Sequence, residues 1–228
     1  MKMIHDVFNI FFPETCLICS KEVEMTGHLI CFYCLSELPL THFSCMAKNR
    51  LEKSFRGRIP ITSATSLLYF HKKGPVQKLM HQLKYHNKQE IGTCFGNWLG
   101  EEILRNERFE TIDFILPVPM HPDKQKKRGY NQVTTFAQGL SGKTKAQILP
   151  DLLVKISKSL SQTHKNRIER NENKRNEFML RDRIILEDKH VLLVDDIITS
   201  GSTLEGCWEP LSKVHGIKIS LASIAFTV

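Results

Sequence analysis

No stretch of the 228 residues approaches the roughly 18 consecutive apolar residues that a membrane span needs. The apolar opening MKMIHDVFNIFFPE is interrupted by Asp6 and Asn9 and is followed by no small-residue cleavage site. It therefore reads as a short amphipathic helix with Ile4, Val7, Phe8 and Phe11 on one face, not as an export signal. The seven cysteines are odd in number, four bunched early and three scattered, which excludes a secreted disulfide framework and points to a reducing, cytoplasmic setting. There is no internal repeat and no low-complexity tract. Acidic residues are the minority charge, 24 Asp+Glu against 32 Lys+Arg, for a formal charge of +8. That excess suits phosphates, nucleic acid or an acidic surface, and equally serves solubility. At 41% hydrophobic and 25% charged residues, the composition is that of a globular chain and excludes a largely disordered one.

What is present divides near residue 50, into a cysteine-bearing segment 1–50 and a larger unit 51–228. The polar stretch from Asn49 to Arg58, with its turn-like Arg56-Gly57-Arg58, marks the passage. Ser63 to Phe70 reads as a strand. Gly74 and Pro75 open a helix with Val76, Leu79, Met80 and Leu83 at i, i+3, i+4 and i+7. A second helix places Ile91, Cys94, Phe95, Trp98 and Leu99 on one face. Ile112 to Pro117 is a short buried strand, Val133, Phe136, Ala137 and Leu140 mark another helix, and Leu152 to Ile156 another strand. Periodicity dissolves from Ser157 to Arg183. It returns as a strand at Val191–Val194, a helix after Ser202 (Leu204, Cys207, Trp208, Leu211, Val214) stopped by Gly216, and a last strand from Ile217 to Val228. Strands alternating with helices predict an α/β fold with a mainly parallel sheet.

Cys16-Leu-Ile-Cys19 and Cys31-Phe-Tyr-Cys34 are two C-x2-C pairs separated by eleven residues. Each suits a knuckle whose two thiolates reach one ion, and together they complete a closed tetrahedral, structural Zn2+ site. His42 and Cys45 lie close by but lack a second such pair.

The most informative segment runs from Val191 to Thr203, VLLVDDIITSGST. An apolar strand carries Asp195 and Asp196 at its C-terminal end, where α/β sheets place ligands. The hydroxyl-rich loop Thr199-Ser200-Gly201-Ser202-Thr203 then leads into a helix. Such a loop offers backbone N–H groups, hydroxyls and a helix dipole to one phosphate. Carboxylates do not bind that phosphate; they suit the hydroxyl donors of a sugar and a water on Mg2+. A phosphate cradle beside a diol reader describes a ribose-5-phosphate site. A P-loop is excluded, because no G-K-[ST] follows.

These thirteen residues resemble the phosphoribosyl-pyrophosphate (PRPP) motif of type I phosphoribosyltransferases. The order of the C-x2-C pairs, Leu83-Lys84-Tyr85, Pro117-Val-Pro119, Arg128-Gly-Tyr-Asn-Gln132 and this motif resembles, over nearly the whole chain, the ComF family of bacterial competence-related proteins. The resemblance implies a type I phosphoribosyltransferase-like, mainly parallel sheet flanked by helices behind a small N-terminal zinc-binding segment, with a link to DNA uptake or utilisation. The commonest family pattern has further C-x2-C pairs; only Cys45 stands in that region here, so one zinc is expected.

His121 to Gln132 carries Lys124, Lys126, Lys127 and Arg128, four cations in five positions at a strand end, enough to neutralise a pyrophosphate or simply to make a solvated basic turn. The resemblance makes this the pyrophosphate loop, with Lys127, Arg128, Gly129, Asn131 and Gln132 as its residues. It also turns Lys84, a lysine favoured at a helix C-terminus in any case, into a phosphate-side contact, and Gln162, Thr163, Arg167 and Arg170 into a mobile loop that closes over PRPP. Asp195, Asp196 and Arg128 become the candidate catalytic groups, and Mg2+ accompanies PRPP. No base-reading residue is legible, so turnover as a pentosyltransferase stays open. The runner-up is a nonspecific single-stranded-DNA-binding accessory protein, favoured by charge and the zinc segment. Single-stranded DNA and a DNA-uptake helicase are the further candidate partners.

Overall fold

The computed structural model describes residues 14–23, 27–109, 111–156 and 177–227. The N-terminal amphipathic helix around Ile4 and Phe8 and the loop residues Gln162, Thr163, Arg167 and Arg170 fall outside these. A central five-stranded sheet in the order β1-β7-β6-β2-β3 is parallel throughout: β1 Ser63–Phe70, β2 Phe114–Pro117, β3 Gln147–Ile148, β6 His190–Ile198 and β7 Lys218–Thr227. A separate antiparallel ribbon pairs β4 Leu153–Lys155 with β5 Phe178–Leu180. The helices are α1 Phe32–Ser36, α2 Arg50–Ser54, α3 Pro75–Tyr85, α4 Glu90–Leu104, α5 Pro122–Arg128, α6 Gln132–Thr144 and α7 Ser202–Leu211. None among the described residues is long and apolar enough to cross a membrane. This is the mainly parallel, helix-flanked α/β fold expected from the alternating pattern.

Two apolar clusters sandwich the sheet. On one face, Leu192 and Val194 of β6 meet Leu79 and Leu83 of α3, Phe95 and Leu99 of α4 and Phe136 of α6; Cys16, Ile30, Cys34 and Leu38 join the same cluster. On the other, Val191 and Leu193 meet Leu51 and Phe55, Leu204, Cys207 and Leu211 of α7, and Phe178 of β5. Residues 191–194 of β6 alternate between the two faces, as period two requires. Before β1, Thr41 N–H donates to Leu67 O (3.1 Å) and Tyr69 N–H to Pro39 O (2.8 Å), so residues 39–41 cover the outer edge of the sheet.

Several elements depart from the sequence reading for identifiable reasons. The polar stretch after Asn49 contains α2: Asn49 Oδ1 caps it by accepting from Glu52 N–H (2.9 Å), while Leu51 and Phe55 are fully buried. A five-residue helix is too short to display a periodicity. Strand β5 lies inside the segment read as aperiodic, and three residues give alternation nothing to repeat. The basic stretch is not a loop but α5, capped by His121 and closed by Gly129 in the left-handed region at φ 80°. Helix α7 ends at Leu211, short of Gly216, with Pro210 in its last turn.

On α4 the inward face is not quite the one expected. Cys94 is exposed and Trp98 half-buried, whereas Gly92, Gly96 and Gly100 are buried against α6. A Cβ at Gly96 would stand 2.3 Å from Phe136 O, and one at Gly139 of α6 2.5 Å from Thr93 O. The two helices are in backbone contact, an approach that hydrophobic periodicity does not register. Gly142, also on α6, has no atom nearer than 3.9 Å to such a Cβ. Gly96→Ala should therefore destabilise the protein by about 1–3 kcal/mol through overpacking. Gly142→Ala should be neutral or stabilising by up to about 1 kcal/mol, from helix propensity alone. Urea unfolding of the two variants checks the contrast.

Candidate functional site

The four cysteines of the two knuckles form one cluster. All four Sγ atoms lie within 4.8 Å of one another, and Cys19 and Cys31 are 3.8 Å apart. Thiolates about 2.3 Å from a tetrahedral ion stand about 3.8 Å from each other, so the set fits a closed S4 site. Backbone bonds shape it: Cys16 N–H donates to Lys21 O (2.8 Å) and Ser20 N–H to Cys16 O (2.8 Å), closing the first knuckle. Burial pushes the Cys16 thiol up, but hydrogen bonds from the backbone of Cys31, Cys19 and Ile18 outweigh it and bring the group down to about 6. Cys34 is pushed up to about 12 by burial and by its cysteine neighbours. Four close cysteines so arranged can hold a metal. Cys45 stands apart, exposed, with its thiol on His42 O at 3.1 Å. The segment is docked on α3, where Lys78 Nζ donates to Ile18 O (2.9 Å).

At the carboxyl edge of the sheet, β6 outruns β2. Pairing with β2 stops at Pro117–Val194, whereas pairing with β7 continues to Ile198–Phe226. Asp195 and Asp196 sit on this overhang, within the strand, and not after its end as Val191–Val194 had suggested. Asp196 Oδ2 accepts from Lys84 Nζ at 2.9 Å, so the last turn of α3 reaches the strand. Asp195 lies on the other side, toward Cys207 and Lys155, and its Oδ1 accepts from Asp196 N–H (2.8 Å). Removal from water, then the Asp196 charge, push the Asp195 carboxyl up to about 7.

Thr199 to Thr203 follow as an exposed turn around Gly201. Gly201, at φ 78°, caps α7, and a Cβ there would stand 2.6 Å from the Phe55 ring; only glycine meets both demands. The loop is held from behind by Arg58, which donates to Ser200 O (2.7 Å), Ser54 O (2.9 Å) and Glu205 Oε1 (2.6 Å) and covers the Phe55 ring. The same guanidinium holds Glu205 below the usual carboxylate range. Sequence reading treated Arg56-Gly57-Arg58 only as a turn. Its signal, an arginine 142 positions before the loop it supports, is not local. A groove of about 870 Å3 runs from Ser202 and Thr203 past Glu205 and Trp208, so the loop opens to solvent on that side.

Helix α5 presents Lys124, Lys126 and Lys127 to solvent, with Arg128 half-buried and its guanidinium 5.3 Å over the Tyr85 ring. Tyr130 OH donates to Leu83 O, tying this segment to the end of α3. Asn131 is engaged structurally: Oδ1 caps α6 by accepting from Val133 N–H (3.1 Å), and Nδ2 donates to Val118 O (3.2 Å). Gln132 is fully buried, its side-chain oxygen and nitrogen both without a partner among the described residues. The structure thus brings Lys84 and Arg128 to the acidic pair's side of the sheet, and gives Asn131 and Gln132 interior positions.

Residues 116–226 match the phosphoribosyl transferase domain, a span that contains β6, the loop and α7 but not the cysteine cluster. The chain is similar to the DNA utilization protein YhgH of Shigella flexneri and of Escherichia coli, 27% identical over 192 residues, covering 83% of this chain and 80% of theirs. It is 26% identical over 214 residues to Competence protein F of Haemophilus influenzae, covering 92% and 89%. The fold and the matched span are phosphoribosyltransferase-like. Within that class the chain is a homologue of the DNA utilization proteins and of competence protein F (ComF).

Two outcomes follow from the geometry. Elemental analysis of protein purified without chelator should find about one metal equivalent per chain; Cys16→Ser should lose it and loosen the segment while the sheet stays folded. The raised Asp195 carboxyl sets a pH dependence. Its folded value of about 7 lies above the unfolded one, near 4. Its contribution is therefore fully present below about pH 4 and is lost as pH rises through about 7. Asp195→Asn should gain stability relative to wild type between pH 5 and pH 8, measured by urea unfolding at both.

Proposed function

We propose that the carboxyl edge of the sheet binds PRPP or ribose 5-phosphate. The observation that carries this reading is the juxtaposition of two carboxylates on the β6 overhang with a hydroxyl-rich helix start capped by Gly201, five residues after Asp196. Asp195 and Asp196 accept from the ribose hydroxyls, and the backbone and hydroxyls of Thr199, Ser200, Gly201, Ser202 and Thr203 hold the 5-phosphate. Lys84, ion-paired to Asp196, and Arg128 with Lys127 face the pyrophosphate, which arrives with Mg2+. If a phosphoribosyl group is transferred, these residues position the sugar and stabilise the charge of the departing pyrophosphate, which is nearly all the protein need supply. Zn2+ is the ion that best suits four cysteine sulfurs, in a structural role. The relatives' names, DNA utilization protein and Competence protein F, support a role in DNA utilisation or competence.

A second reading, binding of single-stranded DNA without turnover, is favoured by the exposed lysines of α5. One titration separates the two. Mg-PRPP should bind the purified protein in calorimetry, and Asp195→Asn with Asp196→Asn should weaken it by an order of magnitude or more per residue, since each charge-assisted hydrogen bond contributes about 1.5–3 kcal/mol. Equal binding by the double variant would sink the ribose site. Salt-sensitive binding of oligonucleotide, lost in Lys126→Glu/Lys127→Glu, in a protein indifferent to Mg-PRPP would favour the second reading.

A further inference from the structure

The ribbon of β4 and β5 has two faces, and the core covers one of them. Leu153, Phe178 and Leu180 turn inward to the apolar cluster that contains α7. Period two turns their neighbours the other way. The pair Val154–Met179 holds the middle of that outer face. Ile156 N–H donates to Glu177 O (2.8 Å) and Arg181 N–H to Leu152 O (2.9 Å), so the ladder continues by one pair at each end. The outer face therefore reads Glu177, Met179, Arg181 along one strand and Ile156, Val154, Leu152 along the other. Ile156 is 43% and Met179 47% exposed, and neither they nor Val154 belong to either apolar cluster. A two-stranded ribbon is marginal in water, and what covers its faces decides its stability.

Charge identifies what covers the outer face. Its apolar middle has an anion at one end and a cation at the other. Arg181 is exposed and in no ion pair among the described residues, and the Glu177 pair with Lys155 is long, 3.5 Å. Such a face is complementary to itself when turned end for end. We propose that the outer face of the ribbon docks on the same face of a second copy of this chain. The two-fold axis lies between the two ribbons, crosses the strands at right angles and passes by Met179. Met179 then packs on the partner's Met179 and Val154, and Arg181 of each copy meets Glu177 of the other. Four residues of strand span about 14 Å, so both ion pairs form at once. An axis along the strands would set Arg181 on Arg181 and is disfavoured. The same face serves both copies, so the assembly closes at two. The face is small, which puts the pair in the weak class that buries less than about 1,200 Å2 and dissociates on dilution. Glu177 also lines the groove beside Ser202 and Thr203, so the interface borders the phosphate loop. The pairing does not depend on what that loop binds.

Analytical ultracentrifugation of the full chain, purified without chelator, tests it from about 1 to 200 μM. The mass should rise with concentration from the 26.3 kDa of one chain toward twice that value. Met179→Asp should hold it at one chain, whereas Leu104→Asp, at an exposed apolar residue that ends α4, should leave the pair intact. Arg181→Glu and Glu177→Arg should each weaken the pair by about tenfold or more, because like charges then stand opposite in two places. Mixing these two variants should restore it, since each offers the sign that the other lacks; recovery also shows that both are folded. One chain at every concentration, a pair indifferent to Met179→Asp, or no recovery in the mixture overturns the proposal. Growth past two chains overturns it as well, in favour of open-ended association through a strand edge.

Discussion

The unequal length of two neighbouring strands governs the carboxyl edge. Because β2 stops opposite Val194 while β6 runs on to Ile198, four consecutive residues beginning with Asp195 and Asp196 project with a partner strand on one side only. Consecutive residues of a strand face opposite ways, so Asp195 and Asp196 are divided between the two sides of the sheet. Asp196 meets a lysine there; Asp195 meets the flank of α7 and is left with its charge poorly compensated. A longer β2 would have covered the pair, and a shorter β6 would have put both in the loop. The phosphate loop, the end of α3 and the basic helix are arranged round this overhang.

The supports on each side are built from residues distant in sequence. On the α7 side, Phe55 fills the space that a side chain at Gly201 would need, and Arg58 takes the carbonyl of Ser200, so the short helix α2 sets the shape of the loop. Phe178 of the ribbon lies against Gly206 of α7, where a Cβ would stand 2.8 Å from its ring, so the ribbon and the loop share one helix. On the other side the cysteine segment shares its apolar cluster with α3 and accepts a hydrogen bond from Lys78 Nζ at Ile18 O, and the far end of that same helix carries Lys84 and Tyr85.

How much of this the sequence discloses depends on whether the signal is local. Strand β1 and the start of α3 are legible to the residue, since Ser63–Phe70 is continuous and Gly74-Pro75 is a strong helix opening. The acidic pair, the loop and the two C-x2-C knuckles are legible because spacing within a dozen residues carries the chemistry. Elements shorter than two turns or four strand residues, α2 and β5, lack a period to detect. The glycine face of α4 is invisible to any hydrophobic count, because glycine's contribution is the absence of a side chain. Arg58 and the Tyr85–Arg128 stack are set by tertiary contact alone. The basic stretch shows the reverse error: its charges are plain in the sequence, but their helical spacing, the cap from His121 and the stop at Gly129 emerge only from the backbone.

Charge decides which end of the site takes which part of a ligand. The chain is cationic overall, yet its strand end is not: two adjacent carboxylates stand there with one ion-paired lysine. Removal from water first, and the Asp196 charge second, raise the Asp195 carboxyl to about 7. A phosphate cannot be accepted at that point, because it would add a third negative charge; hydroxyl donors or a hydrated cation relieve it. Five residues on from Asp196, at Gly201, the sign reverses. Gly201 opens a ten-residue helix whose N–H groups point outward, with no acidic side chain before Glu205, and Glu205 is itself engaged by Arg58. An anion is favoured there, and hydroxyl donors are favoured on the strand.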